Sequence, residues 1–152
     1  MRQETRKPPG NHRPCGEDST RNVGRMRIVL ADDDSVIKGL IHGLLTDAYD
    51  VVAQFGDGET LVRRMGDYCP DVAIVDISMP GMSGIEATRQ ITKQCRKVKV
   101  IVLSVHDESA YVDAAFDAGA RGYVLKFAAH SELIPAIEAV AADARYLSAQ
   151  LR

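Results

Sequence analysis

Five short apolar runs, each followed by a segment of helical periodicity, constrain this chain more than any other feature. The runs are MRIVLA (26–31), VVAQF (51–55), VAIVD (72–76), VKVIVLS (98–104) and GYVLK (122–126). After them, apolar residues recur at three- and four-residue spacing over 35–47, 58–68, 85–94, 109–118 and 131–142. Val36, Ile37, Leu40, Ile41 and Leu44 mark the first helix, and Leu133, Ile134, Ile137 and Val140 the last. Gly119 reads as the C-cap of the fourth. Pro135 is expected in the opening turn of the last helix or just beyond, where a missing N–H costs least. Strands apolar throughout and separated by helices form a parallel sheet covered on both faces. Right-handed crossovers leave few topologies. The expected architecture is therefore α/β, a doubly wound (βα)5 unit with a five-stranded parallel sheet in the order 2-1-3-4-5. Its switch point lies between the first and third strands.

A chain of 152 residues, 45% apolar and 26% charged, can bury one ordinary core. Two regions are expected, an N-terminal extension over 1–25 and one globular domain over 26–152. Residues 1–25 hold Pro8, Pro9, Gly10, Pro14 and Gly16 and a single clear aliphatic, Val23, so the extension is expected to be disordered. It carries six Lys/Arg against three acids, and with the whole chain at −2 the rest must carry −5. Such a domain is a poor nucleic-acid binder on charge alone. Cys15, Cys69 and Cys95 fit no metal spacing or disulfide framework, and read as reduced cytoplasmic thiols. No apolar run reaches the ~18 residues of a membrane span.

Acidic residues gather at the predicted switch point. The first strand runs into Asp32-Asp33-Asp34 and the third ends on Asp76. Two carboxylates at about 4 Å repel by roughly 4 kcal/mol at an effective dielectric near 20. Either they protonate or a cation neutralises them, and hard oxygen ligands suit Mg²⁺. Asp34 alone is well explained as the cap of the first helix. The fourth strand ends in Ser104 and the fifth in Lys126, at the same sheet edge. A nucleophilic carboxylate, a metal and two anion-stabilising groups suit phosphoryl transfer to a carboxylate.

From Met26 onward, VLADDD, IVDISMPGMSG, VLSVHD and ARGYVLK stand in an order and at intervals that resemble the receiver domain of bacterial two-component response regulators. GMSGIEATRQI, ARGYVLK and RYLSAQL look most like receivers that precede a LuxR-type helix-turn-helix. The resemblance implies the flavodoxin-like receiver fold and a phosphorelay switch rather than a metabolic enzyme. It implies that Asp76 accepts a phosphoryl group from a sensor histidine kinase. Asp32, Asp33, Asp76 and the Ser78 carbonyl would hold Mg²⁺. Lys126 and Ser104 would stabilise the phosphoryl group, and Tyr123 would turn inward when Ser104 engages it, reshaping the face between the fourth strand and fifth helix. The resemblance also implies homodimerisation on activation.

Some positions depart from the pattern. Asp34-Ser35 stands where such receivers commonly carry His-Pro, and Phe127 where many carry a cis proline. A cis bond before Phe127 would cost about 3 kcal/mol, so a trans bond or visible strain is expected. His106 reads as a plain loop histidine beside the site. No segment reads as a basic recognition helix. The chain is then either a single-domain receiver or the receiver portion of a DNA-binding transcription regulator. A Mg²⁺-dependent phosphatase would use the same acids, but no insertion reads as a lid over a substrate.

Overall fold

The computed structural model describes residues 25–152. The expected N-terminal extension lies outside the described residues except for Arg25, whose guanidinium donates to the carbonyls of Thr46 (2.6 Å) and Tyr49 (3.0 Å). Strands and helices alternate as the apolar pattern requires: β1 (Arg27–Ala31), α1 (Ser35–Leu45), β2 (Asp50–Phe55), α2 (Gly58–Tyr68), β3 (Val72–Asp76), α3 (Gly84–Gln94), β4 (Lys99–Ser104), α4 (Ser109–Asp117), β5 (Gly122–Leu125) and α5 (Ala129–Ala141). The expected order 2-1-3-4-5 is observed, with every strand pair parallel.

A sixth strand, β6 (Tyr146–Leu147), extends the sheet beyond the five expected and pairs with the outer edge of β5. Two residues are too few for an alternation to be read, so local sequence carries no sign of it. Ser148 fixes the strand. Its N–H donates to the Tyr123 carbonyl (3.0 Å), its Oγ accepts the Leu125 N–H (2.9 Å), and its hydroxyl donates to Glu132 on α5 (2.5 Å).

The period of two along each strand divides the core. Ile28, Leu30, Ile74 and Leu103 face Ile41 and Leu45 of α1 and Leu133, Ile137 and Val140 of α5. Val29, Ala31, Val75 and Val102 face Leu61, Met65, Ile91 and Ala115 from α2, α3 and α4. β1, β3, β4 and β5 are thus buried on both sides, as the unbroken apolar runs anticipate, whereas the edge strand β2 is only half-buried. On α1 the apolar stripe is wider than the core needs: Val36 and Leu40 are 68% and 67% exposed.

Two boundaries differ from expectation with consequences. β5 stops at Leu125, and Lys126–Ala128 form a single 3₁₀ turn that runs straight into α5. The helix therefore starts at Ala129, ahead of the expected Ser131, and Pro135 falls past the opening turn, inside the helix. Pro135 cannot bond the Ser131 carbonyl one turn back, but both residues are exposed and water can take that place. The Lys126–Phe127 peptide is trans, as is every peptide bond among the described residues.

Candidate functional site

The carboxyl ends of β1, β3, β4 and β5 converge on one edge of the sheet. Asp32 follows β1 directly. Its N–H donates to the Phe55 carbonyl (3.0 Å), continuing the β1–β2 ladder, and its Oδ1 accepts the Asp34 N–H (2.9 Å). Asp34 caps α1, accepting the N–H groups of Val36 (2.9 Å) and Ile37 (3.3 Å), which accounts for one acid of the triplet. Asp32 is fully buried and Asp33 is exposed.

Asp76 is the last residue of β3 and is 3% exposed. Its Oδ1 accepts the Ser78 N–H at 3.3 Å. The chain then turns through Met79-Pro80-Gly81-Met82 into α3, whose N-cap Ser83 accepts the Glu86 N–H (3.2 Å). Gly84 opens that helix against the end of β3, and a Cβ at this position would lie 2.0 Å from the Asp76 carbonyl oxygen. Only glycine lets α3 begin this close to the acid.

Carboxylate oxygens of Asp32, Asp33 and Asp76 all lie within 4.8 Å of one another. Lys126 Nζ reaches in from the 3₁₀ turn, 3.0 Å from Asp32 Oδ2 and 3.3 Å from Asp76 Oδ2. Burial, and next the neighbouring Asp32 charge, push the Asp76 carboxyl up to about 6 against the pull of Lys126. Burial opposes the charge on Lys126, but its contacts with Asp32 and Asp76 outweigh that, and its pKa is raised.

One lone ammonium does not balance three acids. Asp32 Oδ2 is buried, with Lys126 Nζ 3.0 Å away as its ion-pair partner and no further group donating to it. A buried carboxylate oxygen with unfilled lone pairs, facing two more carboxylates, is a donor set that fits a hard divalent cation.

Ser104 and Tyr123 meet through the loop after β4. Ser104 is buried and its Oγ accepts the His106 N–H (2.9 Å). Tyr123 is fully buried, and its hydroxyl donates to the His106 carbonyl (2.8 Å). Its pKa is raised, chiefly by burial. The Tyr123 ring therefore sits inward. His106 is a loop residue, as its sequence context suggests, but it has a partner: its ring lies flat on Tyr111, with centroids 4.0 Å apart and planes at 11°. No periodicity argument could have shown that contact.

Compared with known proteins, residues 28–138 match the model of the response regulator receiver domain family. The chain belongs to that family. Among curated relatives, the receiver is 38% identical over 128 residues to the transcriptional regulatory protein DegU of Brevibacillus brevis, spanning 83% of this chain and 54% of that protein. The chain thus covers little more than half of that relative. Among solved structures, the receiver resembles a LuxR-family two-component response regulator from Aurantimonas sp. SI85-9A1, with a TM-score of 0.80 and 35% identity over 84% of this chain and 92% of that one. It also resembles the isolated receiver domain of RcsB from Salmonella enterica serovar Typhimurium, determined with phosphomimetic BeF3-, with a TM-score of 0.77 and 26% identity over 84% and 96% of the two chains. The flavodoxin-like receiver fold and a place in two-component signalling follow from this kinship.

Proposed function

We propose that residues 26–152 form a phosphoryl-accepting switch in which Asp76 is the nucleophile and a sensor histidine kinase is the donor. The observation that carries this reading is the setting of Asp76. It ends β3 at the sheet edge, with the Asp32 and Asp33 carboxylates within 4.8 Å and Lys126 Nζ 3.3 Å away.

An Asp76 carboxylate oxygen attacks the phosphorus of a phosphohistidine. The new P–O bond forms as the P–N bond breaks, and the imidazole leaves with that electron pair and is reprotonated. Asp32, Asp33, Asp76 and the Ser78 carbonyl would hold Mg²⁺, which would supply positive charge against the acids and the transferring oxygens. Lys126 places a second positive charge beside the nucleophile. Ser104 offers a hydroxyl proton, since its Oγ already serves as acceptor for His106. Tyr123, inward and bonded to His106, ties the same loop to β5 and so to the face a partner would read.

The kinship with transcriptional regulators favours a receiver that works within a DNA-binding regulator, and the related structure of two RcsB dimers bound to two parallel DNAs favours dimerisation on activation. This chain's own contribution is then protein contact rather than nucleic-acid contact, in keeping with the net −5 of residues 26–152. A cytoplasmic location accords with cysteines that suit a reducing compartment, and no helix among the described residues is long and apolar enough to cross a membrane. The phosphatase alternative is not favoured, because the matched relatives are named as regulators.

Intact-mass analysis after incubation with Mg²⁺ and acetyl phosphate tests the reading. One added phosphoryl group is expected, absent on chelation of the metal. Turnover of acetyl phosphate many times beyond the protein present, with no adduct at any time, would support the phosphatase instead.

A further inference from the structure

We propose that His106 is a positioning residue for the phosphoryl site. Its ring, stacked on Tyr111, fixes the peptide that holds both Ser104 and Tyr123. The proposal rests on the reading of Asp76, Ser104 and Tyr123 given above and extends it to a residue outside that set.

The loop between β4 and α4 has few other fastenings. Val105 is 65% exposed, and the N-cap of α4, Glu108, makes no side-chain capping bond. Yet the loop carries the two hydrogen bonds on which the arrangement depends, one on each side of a single residue. The His106 N–H donates to Ser104 Oγ at 2.9 Å, and the His106 carbonyl accepts from the Tyr123 hydroxyl at 2.8 Å. Neither bond involves the imidazole. Both require the main chain at position 106 to be held in one orientation.

The imidazole supplies that hold. It lies 4.0 Å from the Tyr111 ring at 11°, and its Nδ1 is 3.8 Å from Glu108 Oε1. Tyr111 is half-buried in the first turn of α4 and packs on the core cluster that contains Tyr123. The stack therefore pins a free loop to a core-anchored ring. It also sets the chemistry of Ser104. With an N–H aimed at its oxygen, the hydroxyl is left to act as donor, which is the role an incoming anion requires. Removing the ring while keeping the peptide should let the loop turn, with Ser104 losing its orientation and the Tyr123 hydroxyl its acceptor.

The test uses the full chain with beryllofluoride as the phosphoryl probe, in the presence of Mg²⁺. Wild type, His106→Ala, His106→Phe and Tyr111→Ala are compared, and Mg²⁺ affinity without beryllofluoride is measured on each. His106→Ala and Tyr111→Ala are expected to weaken beryllofluoride binding about three- to tenfold, the size an aromatic stack supports. Mg²⁺ affinity should stay within about twofold, and His106→Phe, which can stack without an imidazole, should restore tight binding. Amide exchange at position 106 should accelerate in His106→Ala and recover in His106→Phe. Unchanged beryllofluoride affinity in His106→Ala would overturn the proposal while leaving Asp76 in place, as would failure of His106→Phe to restore it. Absence of beryllofluoride binding by the wild type would overturn the underlying phosphoryl-site reading and this proposal with it.

Discussion

Lys126 Nζ lies 3.0 Å from Asp32 Oδ2, a fully buried carboxylate oxygen to which no further group donates. The pair joins the end of β1 to the turn after β5, across the breadth of the site. Lys126 also lies 3.3 Å from Asp76, so one cation serves two acids. Removing one member of a buried charge group leaves the others uncompensated, and Lys126→Met should cost about 2–4 kcal/mol of stability. In an Asp76→Asn background the same change should cost less by roughly 1 kcal/mol, since one of the stranded charges is gone. A double-mutant cycle by urea denaturation, without divalent cations, measures the difference, and strict additivity would show that the three groups do not share charge.

Asp76 is expected to destabilise the metal-free fold at neutral pH. Its folded pKa, about 6, lies above its unfolded value near 4. Between these values the folded state binds the extra proton, so stability falls as pH rises through that window. Asp76→Asn cannot ionise and should be more stable than wild type by about 1–3 kcal/mol at pH 8. The gain should fade as pH drops toward 4. Denaturation midpoints at pH 4, 6 and 8 in the presence of a chelator check both the sign and the window, and a gain that grew at low pH would contradict the assignment.

The hydroxyl of Tyr123 spans from β5 to the loop after β4. Tyr123→Phe keeps the buried ring and removes only that bond, leaving the His106 carbonyl without its donor. A loss of about 1 kcal/mol is expected, in line with a typical net hydrogen bond. Because burial raises the Tyr123 pKa, this tyrosine should stay protonated near pH 10, and absorbance titration of wild type against Tyr123→Phe would detect its late ionisation as a difference appearing only above that pH.

Ser148 joins three elements through one hydroxyl and one amide. Ser148→Ala strands the Leu125 N–H and a Glu132 carboxylate oxygen and should cost about 1–3 kcal/mol. The effect should be local. The amides of Tyr146 and Ser148, bonded to the carbonyls of Arg121 and Tyr123, should lose protection first, whereas those of β3 should not. Amide hydrogen exchange distinguishes that pattern from uniform loosening.

How far sequence alone reaches differs between elements. The apolar runs announce five strands of a sheet covered on both faces, though the edge strand β2 is only half-buried, and the acids at the carboxyl ends come together once the strand order is known. Asp34 as a cap was legible because capping is a local event. β6 was not, since two residues carry no period and its bonds run to Arg121, Tyr123 and Glu132, far along the chain. The early start of α5 has no local mark, because the 3₁₀ turn over Lys126–Ala128 leaves no loop for turn residues to occupy. The stack of His106 on Tyr111, and its bonds to both Ser104 and Tyr123, depend on three-dimensional proximity alone.

The most direct test of the central claim is to locate the phosphoryl group chemically. The chain would be incubated with Mg²⁺ and acetyl phosphate, reduced with borohydride, digested and sequenced by tandem mass spectrometry. Reduction converts an aspartyl phosphate to homoserine and leaves free carboxylates alone. The account predicts homoserine at position 76 and at no other position, and none when Asp76→Asn is treated in the same way. Homoserine at 32 or 33, or none at all on a folded protein that binds Mg²⁺ and beryllofluoride, would contradict Asp76 as the phosphoryl acceptor.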